Sequence, residues 1–433
     1  MSGIDIYNIL DRAKNLGYSA EIYYIKLKEK DIEEDVQISR KSSYEEGYGL
    51  RIVKDCKLGF SYSNTLSYDL LDNAIEVYKS VEEKDCNYQI PSPEGGVNFL
   101  KEIHLLEFNE ITEKIEEFYS QIKAYKNELS SSDVNITYYN VSGFEVQIGV
   151  ANTEGIDINE LKSGISLSLM ANSKIKEGIV TPDIYEYDYT TNPSEINLDT
   201  FVNKIKENVN RLKKRYTDSI DRGIDIIFTQ KALNELFMPL FSRAVSVENV
   251  FRNKSPFSKN KRISNEKLTV IDNPRYKYSL SSRSFDAEGL PTQETKILEK
   301  GEFTNFLSNT YWANKAKVKN THSAIRTYLT LPTISTTTVE LKMKDMEDPF
   351  YDKVLVVDEV QGVNTANFDT GDFSVNVSLG WLYHRKEEFG IYNMVLSGNI
   401  IDILNGITVM GNDVKRYGNI AAGMIRVKGL KIV

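Results

Sequence analysis

The chain has 433 residues, with 53 basic and 62 acidic side chains, a formal charge of −9 and a hydrophobic fraction of 41%. At about 150 residues per unit, that length supplies two or three folding units with real cores. The acidic balance argues against a general nucleic-acid surface, and no window reaches the roughly 18 apolar residues of a membrane-spanning helix.

Individual residue types narrow the classes further. Histidine occurs only as His104, His322 and His384, so no H-x-x-x-H or H-E-x-x-H element exists. A zinc site would need residues distant in sequence. Cys56 and Cys86 form neither a C-x-x-C pair nor a disulfide framework, and read as reduced thiols in a reducing compartment. Met1-Ser2-Gly3-Ile4-Asp5 lacks a basic leader and an apolar run, so a cytoplasmic location is expected and a signal peptide is not.

In chain order, apolar residues at 4, 6, 9, 10, 13 and 16 predict a helix over 4–16, stopped by Gly17. Strands at 20–28, 33–39, 47–54 and 57–63 suggest an antiparallel meander with one wet face. A helix is expected over 67–81, and Pro91, Pro93 and Gly95-Gly96 mark a linker near 82–100. Ile111, Ile115, Phe118 and Ile122 give a helix over 108–129 whose apolar stripe is a packing face. Strands follow at 134–140 and 143–152, joined at Ser142-Gly143, then at 164–170 and 184–188, before a helix over 195–216. A boundary near 217–223 divides 1–218 from 219–433.

The second half opens with a strand at 224–228 and a helical pattern over 229–250, kinked at Pro239. A basic loop with Lys254, Lys259, Lys261, Arg262 and Lys267 reads either as a solvated loop or as an anion contact. The strand 268–273 leads towards Asp286 and Glu288, which fall on one side if that segment is extended. A paired acid and base is one reading there, and an ordered turn is the other. A hairpin is expected around Gly301, an extended segment within 327–339, and a strand at 354–357 ending at Asp358 and Glu359. The stretch 356–413 carries Thr370-Gly371-Asp372-Phe373-Ser374, Ser397-Gly398-Asn399 and Gly411-Asn412-Asp413. These read as chain reversals between strands at 373–377, 380–384 and 392–396. None has the spacing of a metal site, a phosphate loop or a nucleophile elbow.

Those C-terminal signatures resemble the TldD/PmbA family. So do Arg283-Ser284-Phe285-Asp286-Ala287-Glu288-Gly289, Pro291-Thr292 and Asn309-Thr310-Tyr311-Trp312-Ala313, with Asn309 in place of that family's Asp. The resemblance covers nearly the full length. It implies an α+β fold in two parts: an N-terminal α/β domain with an antiparallel sheet, and a mostly antiparallel β C-terminal domain. It also implies dimers around an enclosed groove. The TldD kind of chain is a zinc peptidase with H-E-x-x-x-H on a helix and a cysteine ligand. The PmbA kind, also called TldE, lacks the metal motif and pairs with a TldD partner. The pair is associated with processing peptide antibiotics and degrading unfolded peptides, and an older name is modulator of DNA gyrase.

An ungapped match puts the metal window at Met238-Pro239-Leu240-Phe241-Ser242-Arg243 and the cysteine at Val377. Met, Pro and Arg do not supply the imidazole, thiolate or carboxylate lone pairs that zinc takes, and Pro239 replaces the water-activating glutamate. The resemblance therefore implies a non-catalytic, PmbA-like subunit with no catalytic, cofactor or metal residue of its own. Zinc is expected only in a TldD-like heterodimer partner, and a homodimer when the chain is alone. The expected substrate is an extended peptide held at open strand edges, with no membrane and no direct nucleic-acid contact. Candidate groove or structural residues are Phe285, Asp286, Glu288, Gly289, Tyr311, Thr370, Gly371, Asp372, Phe373, Ser374, Gly398, Asn399, Gly411, Asn412 and Asp413. Two alternatives stay open. One is a self-sufficient hydrolase using Asp286, Glu288, Asp358 or Glu359 with His322 or His384. The other is a regulatory binding protein related to gyrase modulation.

Overall fold

The computed structural model describes residues 5–130, 133–258 and 261–432; Met1, Ser2, Gly3, Ile4 and Lys259, named above, lie outside them. In the first half one large antiparallel sheet is built on three long strands, Ile38–Lys54, Ser19–Glu34 and Val134–Asn152. Lys57–Ser63 extends it at one edge and Asp157–Lys176 at the other, where Ile184–Thr190 also pairs. The expected strand 33–39 instead contains a reversal: Glu34 pairs with Ile38, and Asp35 N–H donates to Gln37 O. The expected joint at Ser142-Gly143 is absent, because Val134–Asn152 runs through it unbroken. Gly143 pairs with Lys30 and Ile165, and a Cβ there would come within 2.5 Å of Ile111 Cγ2. Glycine serves helix approach at this position, not a turn.

Alternation sorts the two faces of this sheet. Ile22 and Ile32 lie under the helices Ile6–Asn15, Asp69–Ser80, Phe108–Ser130 and Leu198–Lys213, which bury their apolar stripes there. Tyr23 and Val150 lie on the other face, against Phe285, Leu290 and Ala324 of the second half. The sheet is thus a middle layer between its own helices and the C-terminal part.

The second half packs two sheets around the largest apolar cluster. One sheet runs from Glu302–Phe303 through Leu268–Asn273 and Thr338–Met343 to Lys415–Tyr417; the other is centred on Val354–Gln361 and Asp372–His384. Pairing is mostly antiparallel. Among the described strands, Val354–Gln361 pairs in parallel with Ile226–Phe228 and Thr338–Met343 with Ile420–Ala422. Asp372–His384 is one strand and not two. Its first half pairs with Met394–Asn399 and its second with Glu387–Ile391, so the apparent break marks a change of partner. The helical run after Thr229 is divided. A π-turn, Leu233–Phe237, immediately precedes Met238–Ala244, and Met238 N–H bonds back to Leu233 O. Pro239 has no N–H to give residue 235, and the wider turn absorbs that loss.

Cys56 and Cys86 are joined in a disulfide, which overturns the reading of two reduced thiols and removes its support for a reducing compartment. The bond pins the tight turn at Asp55-Cys56 to the segment expected as a linker. That segment is a strap. Asp85 N–H bonds Cys56 O at 2.7 Å, Asp85 Oδ2 accepts from Tyr311 and Lys315 at 3.0 and 2.8 Å, and Tyr88 stacks on Tyr311 at 4.4 Å. A sequence separation of 30 residues carries no motif; the fold brings the thiols together. No helix among the described residues is long and apolar enough to cross a membrane.

Candidate functional site

Asp286 and Glu288 do not share one side of an extended strand. They sit in a closed turn bridged by Phe285 and Pro291, with Gly289 at φ +80° and its Cα 's missing Cβ direction filled by Ile156 Cγ2. Asp286 Oδ1 accepts from the N–H groups of Glu288 and Leu290 at 2.9 and 3.1 Å, and Oδ2 from Ala324 N–H at 3.1 Å. Burial, aided by the Glu288 charge, pushes its carboxyl up to about 6. Glu288 accepts from Thr310 N–H at 2.8 Å and from Arg51 Nη2 at 2.9 Å. Arg51 also grips Glu21 through Nε and Nη2 at 2.8 and 2.9 Å, and Arg326 donates to the same carboxylate at 2.6 Å. Glu21, Arg51, Glu288 and Arg326 therefore form a buried ionic seam between the first-half sheet and the second half. Only Glu288 was expected. Glu21 and Arg51 each sit in a strand run that carries further charges, Lys26 and Lys28 in one and Lys54 in the other, so neither stands out in the sequence. Tyr311 belongs to the helix Thr310–Ala316 and holds the strap. Asn309 caps that helix: its Oδ1 accepts from Trp312 N–H and its Nδ2 donates to Pro332 O, both at 3.0 Å. An aspartate has no donor for the second bond.

The C-terminal signature builds a different junction. Gly371, at φ +81°, gives its carbonyl to Ile400 N–H at 2.9 Å. Asn399 Nδ2 donates to Thr370 O and Asp372 Oδ1 at 2.8 and 2.9 Å, and Thr370 Oγ1 donates to Asp372 Oδ2 at 2.6 Å. Asn399 and Asp402 complete a capping box on the helix Ile400–Gly406. Ser397-Gly398-Asn399 is thus a strand-to-helix passage and not a reversal; Gly398 pairs with Phe373, where a Cβ would meet Leu430. Phe373 is core, while Ser374 and Asn412 are exposed. Asp413 accepts from Gln230 Nε2 and Met424 N–H, both at 3.0 Å, beside Gly411, whose N–H bonds Met424 O. The acid turn at 286–288 and this signature occupy separate hydrogen-bond networks.

A cavity of about 940 Å³ opens beside the helix Met238–Ala244. Pro239, Ser242 and Arg243 face it, with Lys254, Ile334 and Asp369. Met238, Leu240 and Phe241 point the other way, into the core. Of the basic loop, Lys254 lines the cavity, while Arg262 and Lys267 are paired with Glu302 and Asp345.

Residues 221–433 match the model of the PmbA/TldA metallopeptidase C-terminal domain, and residues 20–81 match the model of PmbA/TldA metallopeptidase domain 1. The chain belongs to the PmbA/TldD family. An uncharacterised protein of Methanocaldococcus jannaschii is 25% identical over 98% of this chain and 99% of its own length. The metalloprotease PmbA of Escherichia coli O157:H7 is 28% identical, over 48% of this chain and 45% of that protein. The crystal structure of TldE from Thermococcus kodakarensis shares the fold at a TM-score of 0.84 and 19% identity, covering 99% of each chain.

Among the described residues no zinc donor set comes together beside the cavity. Met238 and Leu240 are buried, Arg243 is a cation, and Val377 lies in the core, so this site does not fit the metal. One grouping among the described residues, His104, Glu107 and Glu145, approaches ligand spacing, but Glu145 is already held by Lys28 at 2.9 Å and Phe108 N–H at 3.1 Å. Of the acids and histidines named for a self-sufficient hydrolase, His322 lies beside the Asp286 turn, but its ring hydrogen bonds go to other groups. His322, for which the sequence offers no carboxylate neighbour, pairs with Glu94 at 3.1 Å and with Pro291 O at 2.7 Å. Glu359 accepts from Lys231 and Ser378 at 2.8 and 2.9 Å, and Asp358 faces Lys204 at 3.7 Å. With Glu186 they make a second buried ionic junction between the halves.

Proposed function

We propose that this chain is the metal-free subunit of a peptide-hydrolysing complex, paired with a zinc-bearing TldD-type relative and contributing the wall of a peptide groove. The observation that carries the reading is the helix Met238–Ala244. It retains an open cavity along one side, while the side chains at the metal window are core anchors, a proline and a cation. An extended peptide has a strand beside it: Thr333–Ile334 lines the cavity and, among the described residues, pairs with only one neighbour, Ala324–Ile325. The name of one relative, metalloprotease PmbA, supports the peptide-hydrolysis part of this reading. In the absence of the partner the same surface is proposed to close a homodimer.

The test is coexpression with a relative that carries H-E-x-x-x-H, followed by metal analysis and hydrolysis of fluorogenic peptides. The two chains are expected to co-elute in equal amounts, and hydrolysis by the pair to be abolished by a chelator. Stoichiometric zinc and chelator-sensitive hydrolysis by this chain alone would sink the proposal, as would its elution apart from the relative.

A further inference from the structure

The cavity beside Pro239 contains two cations that share one carboxylate. Arg243 Nη2 lies 3.6 Å and Lys254 Nζ 3.3 Å from Asp369, and the two side chains are 48% and 50% exposed. The other acidic lining residue, Glu248, is taken by Arg252 at 3.1 Å. Among the described residues neither Arg243 nor Lys254 has a second acidic partner, so the pocket keeps an excess of positive charge and of N–H donors turned to open volume. A guanidinium beside an ammonium suits a carboxylate: the fork of Arg243 can give two parallel hydrogen bonds and Lys254 a point charge. Half-exposed cations also keep part of their hydration, so binding does not require a full desolvation penalty. Arg243 stands where the ungapped match places the second histidine of the zinc branch, so this chain sets a fixed cation at that point of the groove. The cavity is continuous with Thr333–Ile334, and Ile334 and Phe368 supply an apolar wall.

We propose that Arg243 and Lys254 bind the free C-terminal carboxylate of a peptide that lies along Thr333–Ile334 and ends in an apolar residue set against Ile334 and Phe368. The assignment rests on the peptide-groove reading above and adds to it a substrate class and an end. In this arrangement Asp369 is the resident competitor: it neutralises the cations in the empty groove and is displaced when the peptide carboxylate arrives.

The experiment uses the full chain and an N-terminally fluorescein-labelled hexapeptide with uncharged side chains and a C-terminal leucine, as free acid and as amide, read by fluorescence anisotropy. The free acid is expected to bind at least about tenfold more tightly than the amide, the size of one well-made charged contact. The R243A/K254A double variant should abolish that difference, and D369N should widen it. These side chains are half exposed, so circular dichroism and melting of the variants should match the parent. Equal binding of acid and amide, or a difference that survives in R243A/K254A, overturns the carboxylate assignment while leaving a peptide groove in place. An amidated peptide with an internal glutamate binding as tightly as the free acid overturns the C-terminal end specifically. Absence of binding by every peptide removes the groove reading, and this one with it.

Discussion

Replacing Arg51 by methionine removes the centre of the ionic seam at little change in volume. Arg51 makes three hydrogen bonds of 2.8–2.9 Å to two carboxylates, and Glu21 and Glu288 are both fully buried. In the variant Glu21 keeps Arg326, but among the described residues Glu288 keeps only Thr310 N–H. Removing one partner of a buried pair and stranding the other charge destabilises a protein by about 3–5 kcal/mol. The loss at pH 7 should therefore lie near that range, measured as the shift in urea midpoint with slope unchanged and followed by both fluorescence and circular dichroism. A further outcome separates this mechanism from lost packing. The double variant R51M/E288Q should recover a large part of it, because the remaining side chain is neutral and still accepts from Thr310 N–H. A single-variant loss below about 1 kcal/mol, or no recovery in the double variant, would refute the reasoning.

Other perturbations test other joints. Replacing both Cys56 and Cys86 by serine frees a loop of 30-residue separation, for which chain entropy gives about 3.6 kcal/mol of lost stability. Proteolysis within 82–100 should rise with it, and an unchanged melting temperature with unchanged cleavage would deny the strap its anchor. Asp272 is held at about 6 by burial, against the hydrogen bonds from Thr337, so its raised value favours the folded state at low pH and that contribution disappears as pH rises through about 6. Asp272→Asn should accordingly flatten the loss of stability between about pH 4 and 7 by roughly 2–3 kcal/mol, seen in pH-dependent urea titrations. Asn309→Asp keeps the helix cap but turns a carboxylate oxygen on Pro332 O in place of a donor. It should lower stability by about 1–3 kcal/mol, while Asn309→Ser, which keeps only a cap, should fall within a similar range.

Periodicity located the elements that bury one face. The helix stripe Ile111, Ile115, Phe118 and Ile122 and the strand Leu268–Asn273 appear in the structure as the sequence implies. It failed where a strand carries a residue chosen for its neighbour on another layer. Gly143 looks like a turn signal, yet it is small because Ile111 crosses above it. Asp372–His384 looks like two strands because different partners alternate along one. Turn chemistry was legible at Gly289 and Gly371, which both have positive φ, and misleading at Gly398, which is small for Leu430. The ionic seam was least legible. Glu21, Arg51, Glu288 and Arg326 lie up to 305 residues apart, and no local rule records which charges meet. The disulfide was hidden for the same reason, since its geometry belongs to the strap and not to the spacing.

The metal window shows why its altered chemistry is a property of backbone as well as side chains. Met238 enters the core while Arg243 reaches the cavity; their five-residue spacing, about 140° around an α-helix, is also that of the two histidines in the zinc motif, so the difference lies in the phase at which this helix presents them. The preceding π-turn and Pro239 fix that phase. Putting histidine at 238 and 243, glutamate at 239 and cysteine at 377 would therefore supply the right atoms with positions 238 and 377 embedded among apolar side chains and position 243 in the cavity. Zinc needs its ligands to converge tetrahedrally within about 2.0–2.3 Å, and burying imidazole and thiolate without a metal is itself unfavourable. The quadruple variant is expected to be less stable than the parent and to retain no stoichiometric zinc after gel filtration. Retention of one zinc per chain with chelator-sensitive hydrolysis would show that side chains alone separate the two branches. That outcome would move the cause of the poor fit to zinc from the phase of the helix to the identity of four residues.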